Sequence, residues 1–298
     1  MSTQAANNPL VINAPPRVSE TRRFMKVFFG RPVVIIGSVI ILLVLICAII
    51  PGTLAPYNPN KQYLDQVYAQ PSRVHPLGTD SLGRDMFSRI IFGARTALII
   101  ATLAIATASV IGTVLGLTAG YFGGWIYAVI MRFVDALMAF PQMLLALTIT
   151  AIFGGGVHMV IIALGIGGIA GYARVMCGQA MSIRENDYVM ASRSLGASNR
   201  RVMFVHLLPN AFPPMIVMMT LAVGMTILAE AGLSYLGIGV KEPTIAWGSL
   251  VNDGNKNLLN RPLLSIAPGF AIMLVVFAFN MVGDGLRDAL DPRLRGTL

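Results

Sequence analysis

Charge is scarce in this chain. Only 12% of its 298 residues are Asp, Glu, Lys or Arg, about half the roughly 25% of an ordinary soluble domain. Cysteine is nearly absent, with Cys47 and Cys177 alone, which argues against a disulfide framework and against dithiol redox chemistry. The three histidines, His75, His158 and His206, are scattered with no second ligand at metal spacing, so no metal site is expected. There is no GxxxxGK[ST] stretch and no Gly-Lys pair, which excludes an ATP-binding P-loop in this chain. Gly165-Ile-Gly167-Gly168-Ile-Ala170 matches a dinucleotide fingerprint in form only, because no strand precedes it and no βαβ unit surrounds it.

What fills the chain instead is hydrocarbon. Hydrophobic residues make up 55% of it and the mean hydropathy is +0.72. Apolar runs lie at 33–54, 97–118, 136–154, 157–173, 213–236 and 263–283, and the one charged side chain in all of them is Glu230. Each run approaches the ~20 residues that a ~30 Å hydrocarbon core requires, so the fold class is an all-α membrane protein with six transmembrane helices. A soluble enzyme, a secreted disulfide scaffold and a nucleic-acid-binding domain are excluded as main readings. The net charge of +9 sits between the runs, where membrane lipids and protein partners, not nucleic acid, are its counterparts.

The fifteen residues before the first run carry four Lys or Arg and the fifteen after it carry only Lys61, which places the N-terminus in the cytoplasm. Six spans return the C-terminus to the same side. The basic start followed by an 18-residue apolar stretch from Val33 to Ile50 reads as an uncleaved first span, not a signal peptide. The organisation is then a cytoplasmic N-terminal tail at 1–32, span 1 at 33–54, an extracytoplasmic segment at 55–96, a transmembrane core at 97–285, and a cytoplasmic C-terminal tail at 286–298. Within 55–96, Ser81 to Phe92 predicts an amphipathic helix with Arg84, Asp85 and Arg89 opposite its apolar face. It either lies in the outer interface or packs on the outer ends of the other spans.

Span 2 carries Gly112, Gly116 and Gly120 at GxxxG spacing and span 4 carries Gly167 and Gly171; such rows let helices approach closely in lipid. Asp135, Arg132 and Asp284 stand at inner span borders, as anchors and local ion pairs. The largest inner segment, 174–212, contains Asp187 to Pro209, which reads as two short helices. The first runs from an Asp187 cap to Leu195, closed by Gly196 in the left-handed conformation. The second starts at Ser198 or Asn199 and ends before Pro209, which is expected to force Leu208 out of helical geometry. Arg193, Arg200 and Arg201 then face outward and Val202, Phe204 and Leu208 reach the membrane: either a docking lever or an amphipathic loop on the inner leaflet.

Here the loop resembles the EAA motif of ABC-importer permeases, EAAxxxG followed by IxLP. Ala191, Gly196, Leu208 and Pro209 fall on motif positions, while Met190 replaces the glutamate, Ser192 the second alanine and His206 the isoleucine. The resemblance extends to the dipeptide, oligopeptide and nickel importer permeases of the C type. It is carried by His75-Pro-Leu-Gly-Thr-Asp80-Ser-Leu-Gly-Arg-Asp85, Tyr121-Phe-Gly-Gly-Trp125, Glu230-Ala-Gly-Leu-Ser-Tyr-Leu-Gly237 and Asn280 to Arg293. It implies a membrane subunit of a bacterial ABC importer in the cytoplasmic membrane, not itself an enzyme and binding no cofactor. Its implied partners are a second homologous permease, two ABC ATPase subunits that hold ATP and Mg, and an extracytoplasmic solute-binding protein. Segment 187–209 would be the coupling-helix elbow, with Gly196 and Pro209 as hinge and stop, and Arg193, Arg200 and Arg201 as contacts.

Glu230 has two readings: a group lining the solute pathway, or a carboxylate held by hydrogen bonds at the interface with the second permease. Dipeptides or oligopeptides lead as cargo, with glutathione-like peptides and nickel complexes behind. The competing classes are a self-sufficient secondary transporter, which would be expected to show inverted repeats and several mid-membrane charges, and a structural anchor, which gives no reason for the elbow.

Overall fold

The computed structural model describes residues 20–290; residues 1–19 and 291–298, which hold much of the two expected tails, lie outside the described residues. Among the described residues every regular element is a helix, apart from one isolated bridge pairing Thr79 with Asp85. A short helix α1 (Glu20–Phe28) stands inside the expected N-terminal tail and packs on the last helix. Helix α2 (Pro32–Ile49) begins on a proline, where the missing N–H is one of the free donors of a first turn anyway. Its Val33, Ile36, Leu42, Leu43 and Ile49 side chains face outward. Such a surface is stable only against hydrocarbon, and a helix is suited to lie there because all its backbone polar groups are paired internally. A one-turn α3 (Pro51–Leu54) follows.

Helix α4 (Met86–Phe122) is 37 residues long, about 55 Å. It outruns a ~30 Å hydrocarbon core and fuses the expected outer helix with span 2. The helix starts at Met86, not Ser81, because Asp85 caps it: its carboxylate accepts from Ser88 N at 2.8 Å. Arg84, Asp85 and Arg89, expected to point away from the apolar face, are buried.

The expected third span, 136–154, is not one straight helix. It is covered by α5 (Gly124–Met138) and α6 (Gln142–Phe153), bent by 81° at their break. Pro141 sits in that break, and a proline disfavours helical geometry in the residue before it. Twelve residues of α6 reach only about 18 Å, so α6 alone does not cross. Among the described residues five helices are long and apolar enough to span a membrane, or six if the bent pair is one span.

Helix α7 (Val157–Arg184) packs along α4 in the most extensive contact of the bundle. The row Gly112, Gly116 and Gly120 makes it possible. A Cβ on Gly112 would lie 2.6 Å from Tyr172 Cβ and one on Gly120 2.7 Å from the Cys177 carbonyl oxygen, while one on Gly116 would run into the Ala173 carbonyl. Gly167 and Gly171 form no second seam of this kind: they face the flexible side chains of Gln142 and Met218, not a helix backbone. The chain continues through the elbow, α8 (Asp187–Ser194), α9 (Asn199–Arg201) and a π-helical turn (Val202–Leu207), into α10 (Leu208–Tyr235). A short α11 (Trp247–Asn255) and the long α12 (Leu263–Leu290) complete the bundle against α10 and α2.

Candidate functional site

The elbow is built from backbone chemistry upward. Its first helix is preceded by Asn186 in extended geometry, so Asn186 and not Asp187 occupies the cap position; Asp187 is the first helical residue. The helix ends in a paired closure: Gly196 N–H donates to the Arg193 carbonyl at 2.9 Å and Ala197 N–H to the Ser192 carbonyl at 3.1 Å. That is the Schellman arrangement, which needs a residue in left-handed geometry after the cap. Gly196, at φ +84°, supplies it. Ser198 caps the next turn by accepting from Arg201 N.

From there the chain stays helical without a break. The expected stop before Pro209 is not found: Leu208 is helical, at φ −55° and ψ −49°. Pro209 lies in the first turn of α10, directly after a π-helical turn whose hydrogen bonds skip one more residue, as in Leu208 N–H to Met203 O. A proline is tolerated in that position because its absent N–H need not join the ladder. The elbow therefore passes into span 5 as one helical path.

Val189, Val202 and Leu207 are fully buried and fasten the elbow to the bundle. Outside it stand Met190, Ala191, Arg193, Ser198, Arg200, Arg201 and Pro209, all exposed, with Leu208 half-buried. Sequence reasoning missed several ties. Tyr121 donates its hydroxyl to Asn199 Oδ1 at 2.7 Å, and Arg193 lies over the Tyr121 ring at 5.5 Å. Arg184 closes the C-terminal carbonyls of α4 by donating to Gly120 O and Tyr121 O, where a cation suits the helix dipole. Ser192 Oγ and His206 Nε2 meet at 3.2 Å. These are two of the three departures from the motif, and both are polar, which was the available signal that they face each other. Leu195, 90% exposed, is the apolar tip of the elbow.

The other end of the molecule carries a buried polar cluster. Asp80 accepts from Leu82 N and Arg84 N, from Arg84 Nε at 2.7 Å and from an Arg89 terminal nitrogen at 2.9 Å. Arg84 also donates to Glu242 at 2.7 Å, which holds that carboxyl below the ordinary carboxylate range. His75 bridges Asp85 at 2.8 Å and Gln66 at 2.7 Å. Its charges answer one another instead of water, which is why an amphipathic reading of 81–92 misplaced them. Trp247 donates to the Ile90 carbonyl at 2.9 Å and joins α11 to α4.

Glu230 is 1% exposed and lies inside the chain, not on an outer face. Ser234 donates to it at 2.7 Å and accepts from Val240 N–H in turn. Asp135 pairs with Arg174 across α5 and α7. Among the described residues no group of three or more His, Cys, Asp or Glu is placed to hold a metal ion.

A bundle of spanning helices around a glycine seam, with a helical elbow between two of the spans, is the membrane-subunit fold of ATP-driven importers. The fold matches a chain of the inward-facing MetNI methionine ABC transporter with TM-score 0.57, over 69% of this chain and 98% of that one at 18% identity. A crystal structure of an amino acid ABC transporter with histidines matches with TM-score 0.52 over 66% and 92% at 16% identity. The chain belongs to the family described as binding-protein-dependent transport system inner membrane component, whose pattern matches residues 112–296. The N-terminal TM domain of oligopeptide transport permease C matches residues 19–71. A glutathione transport system permease protein, GsiD, of Pectobacterium atrosepticum is 38% identical over 92% of this chain and 91% of its own. A dipeptide transport system permease protein, DppC, of Alkalihalophilus pseudofirmus is 38% identical over 99% and 97%. The chain is thus a transport permease of the inner membrane.

Proposed function

We propose that this chain is one of two non-identical permeases of a peptide importer, with both termini in the cytoplasm and segment 187–209 docked on one of two ATPase subunits. ATP, with Mg, is bound and hydrolysed in those subunits, and an extracytoplasmic solute-binding protein delivers the cargo. The observation that carries the coupling role is continuity: Ser198 caps a helical path that runs through the π-helical turn into α10. A push on Arg201 is therefore delivered to span 5 without an intervening loop, while Arg193 and the exposed Leu195 tip stand on α8 and its closing turn, joined to that path through residues 195–198. ATP binding favours one access state only through contacts that differ between states, and a lever of this kind supplies them.

Gly196→Leu tests it. A side chain in left-handed geometry costs about 1–2 kcal/mol, enough to unseat the closure of α8. The variant is expected to insert and assemble, to hydrolyse ATP and to lose uptake; normal uptake in proteoliposomes would remove the coupling role. The cargo is a dipeptide or oligopeptide, with glutathione as second reading because relatives of both names are 38% identical. Competition of labelled dipeptide uptake by glutathione separates the two.

A further inference from the structure

Helix α4, the π-helical turn and the start of α10 enclose a groove. Its cavity of about 260 Å³ is lined by Val110, Val114, Phe204, Leu208, Phe212, Met219 and their neighbours, none of them charged. Val110, Val114 and Phe204 are more than half exposed, so the groove opens toward whatever surrounds the bundle.

Charge and side-chain size say what fills it. Phe204, Leu208 and Phe212 recur every four residues, and the preceding member of the row is Arg200. Residues four apart on a helix share a face, so the row leads from a cation at the elbow into an apolar cleft. Arg200 is exposed, and no ion pair engages it among the described residues. A phosphate beside a guanidinium with hydrocarbon along the cleft is the pattern of a phospholipid. A second protein helix suits the groove poorly. Helices associate in lipid through small residues that let backbones approach, and apart from Ser109, Thr113 and Thr118 this lining is Val, Leu, Phe and Met. The small-residue face of α4 is already taken by α7.

We propose that the groove binds one acyl chain of an anionic phospholipid whose phosphate is held by Arg200. The site rests on the membrane position of these helices and not on the coupling role of 187–209. The bound chain lies against the π-helical turn Val202–Leu207.

The test uses the whole transporter in lipid nanodiscs containing phosphatidylglycerol with a photoreactive group in one acyl chain, and phosphatidylcholine with the same group. Crosslinks from the anionic probe are expected in 109–118 and 203–219. Arg200→Gln is expected to lower them about fivefold, the worth of one surface cation beside an anionic headgroup. Arg200→Lys keeps them, Arg201→Gln leaves them unchanged, and Val114→Trp, which fills the cleft, removes them. Equal labelling by the two lipids, or equal loss in Arg200→Gln and Arg201→Gln, would overturn the site. So would crosslinks from these segments to the second permease in place of lipid. Uptake and ATP hydrolysis are read separately, so failure of the coupling role cannot be mistaken for failure of this site.

Discussion

At Asp80 one carboxylate serves two arginines, and the three side chains are each under a tenth exposed. Removing one partner of a buried ion pair costs about 3–5 kcal/mol because the other charge is left uncompensated. Asp80→Ala is therefore expected to lower the unfolding temperature of the purified transporter sharply, while Glu242→Gln, at a 64% exposed side chain, has a small effect. The Glu242 contribution depends on pH with a definite sign. Its folded pKa is depressed, so the stabilisation is full above the ordinary value of about 4.3 and is lost as pH falls through the lowered one. The difference in unfolding temperature between wild type and Glu242→Gln should stay flat in neutral solution and close in acid. Ser192 and His206 offer a second residue-scale check. A double-mutant cycle of Ser192→Ala with His206→Ile should give a coupling of about 0.5–1.5 kcal/mol, and no coupling would mean that the two departures from the motif arose independently. The Arg84–Glu242 pair was not legible in the sequence, because it joins residues 158 apart whose meeting is set by how separate segments pack.

At the scale of elements, legibility followed local chemistry. The left-handed Gly196 and the Ser198 cap were readable because the turn they make needs nothing beyond its own backbone. The helix stop at Pro209 was misread for the opposite reason: proline removes one donor, and only the π-helical turn ahead of it made that donor unnecessary. The start of α4 was placed too early because Arg84, Asp85 and Arg89 looked like a solvated face, when the two arginines face Asp80 and Glu242 and Asp85 faces His75 and Ser88. The glycines separate into two kinds that spacing alone does not distinguish. At Gly116 a side chain meets the backbone of α7, so Gly116→Val is expected to destabilise by about 1–3 kcal/mol. Gly178, also helical, has nothing within 4 Å of where a Cβ would stand, and Gly178→Ala should stabilise by about 0.5–1 kcal/mol. Thermal unfolding of the two variants in the same detergent checks both signs.

At the scale of the molecule, the chain has no P-loop, so the lever proposed at 187–209 would have to be driven by partner subunits. Purification in mild detergent is expected to retain a second six-span permease and P-loop ATPases. Recovery of the chain alone, active in proteoliposomes without ATP, would establish a secondary transporter instead. The membrane-facing surface explains why the subunit is stable in lipid, since α2 buries little against its own chain and shows Val, Ile and Leu to the bilayer.

The sequence by itself determined that the chain lives in a membrane, that it holds about six apolar segments, that it cannot bind ATP through a P-loop, and where the elbow lies. Each of these follows from composition, run length or a local motif, which act over one helix or less. Only the tertiary structure decided that the outer charges are buried partners, that the third apolar run is broken, that Glu230 is enclosed, and that the elbow is continuous with α10. Those depend on which side chains meet across separate segments, and Arg84 meeting Glu242 or Tyr121 meeting Asn199 requires the whole bundle to be in place.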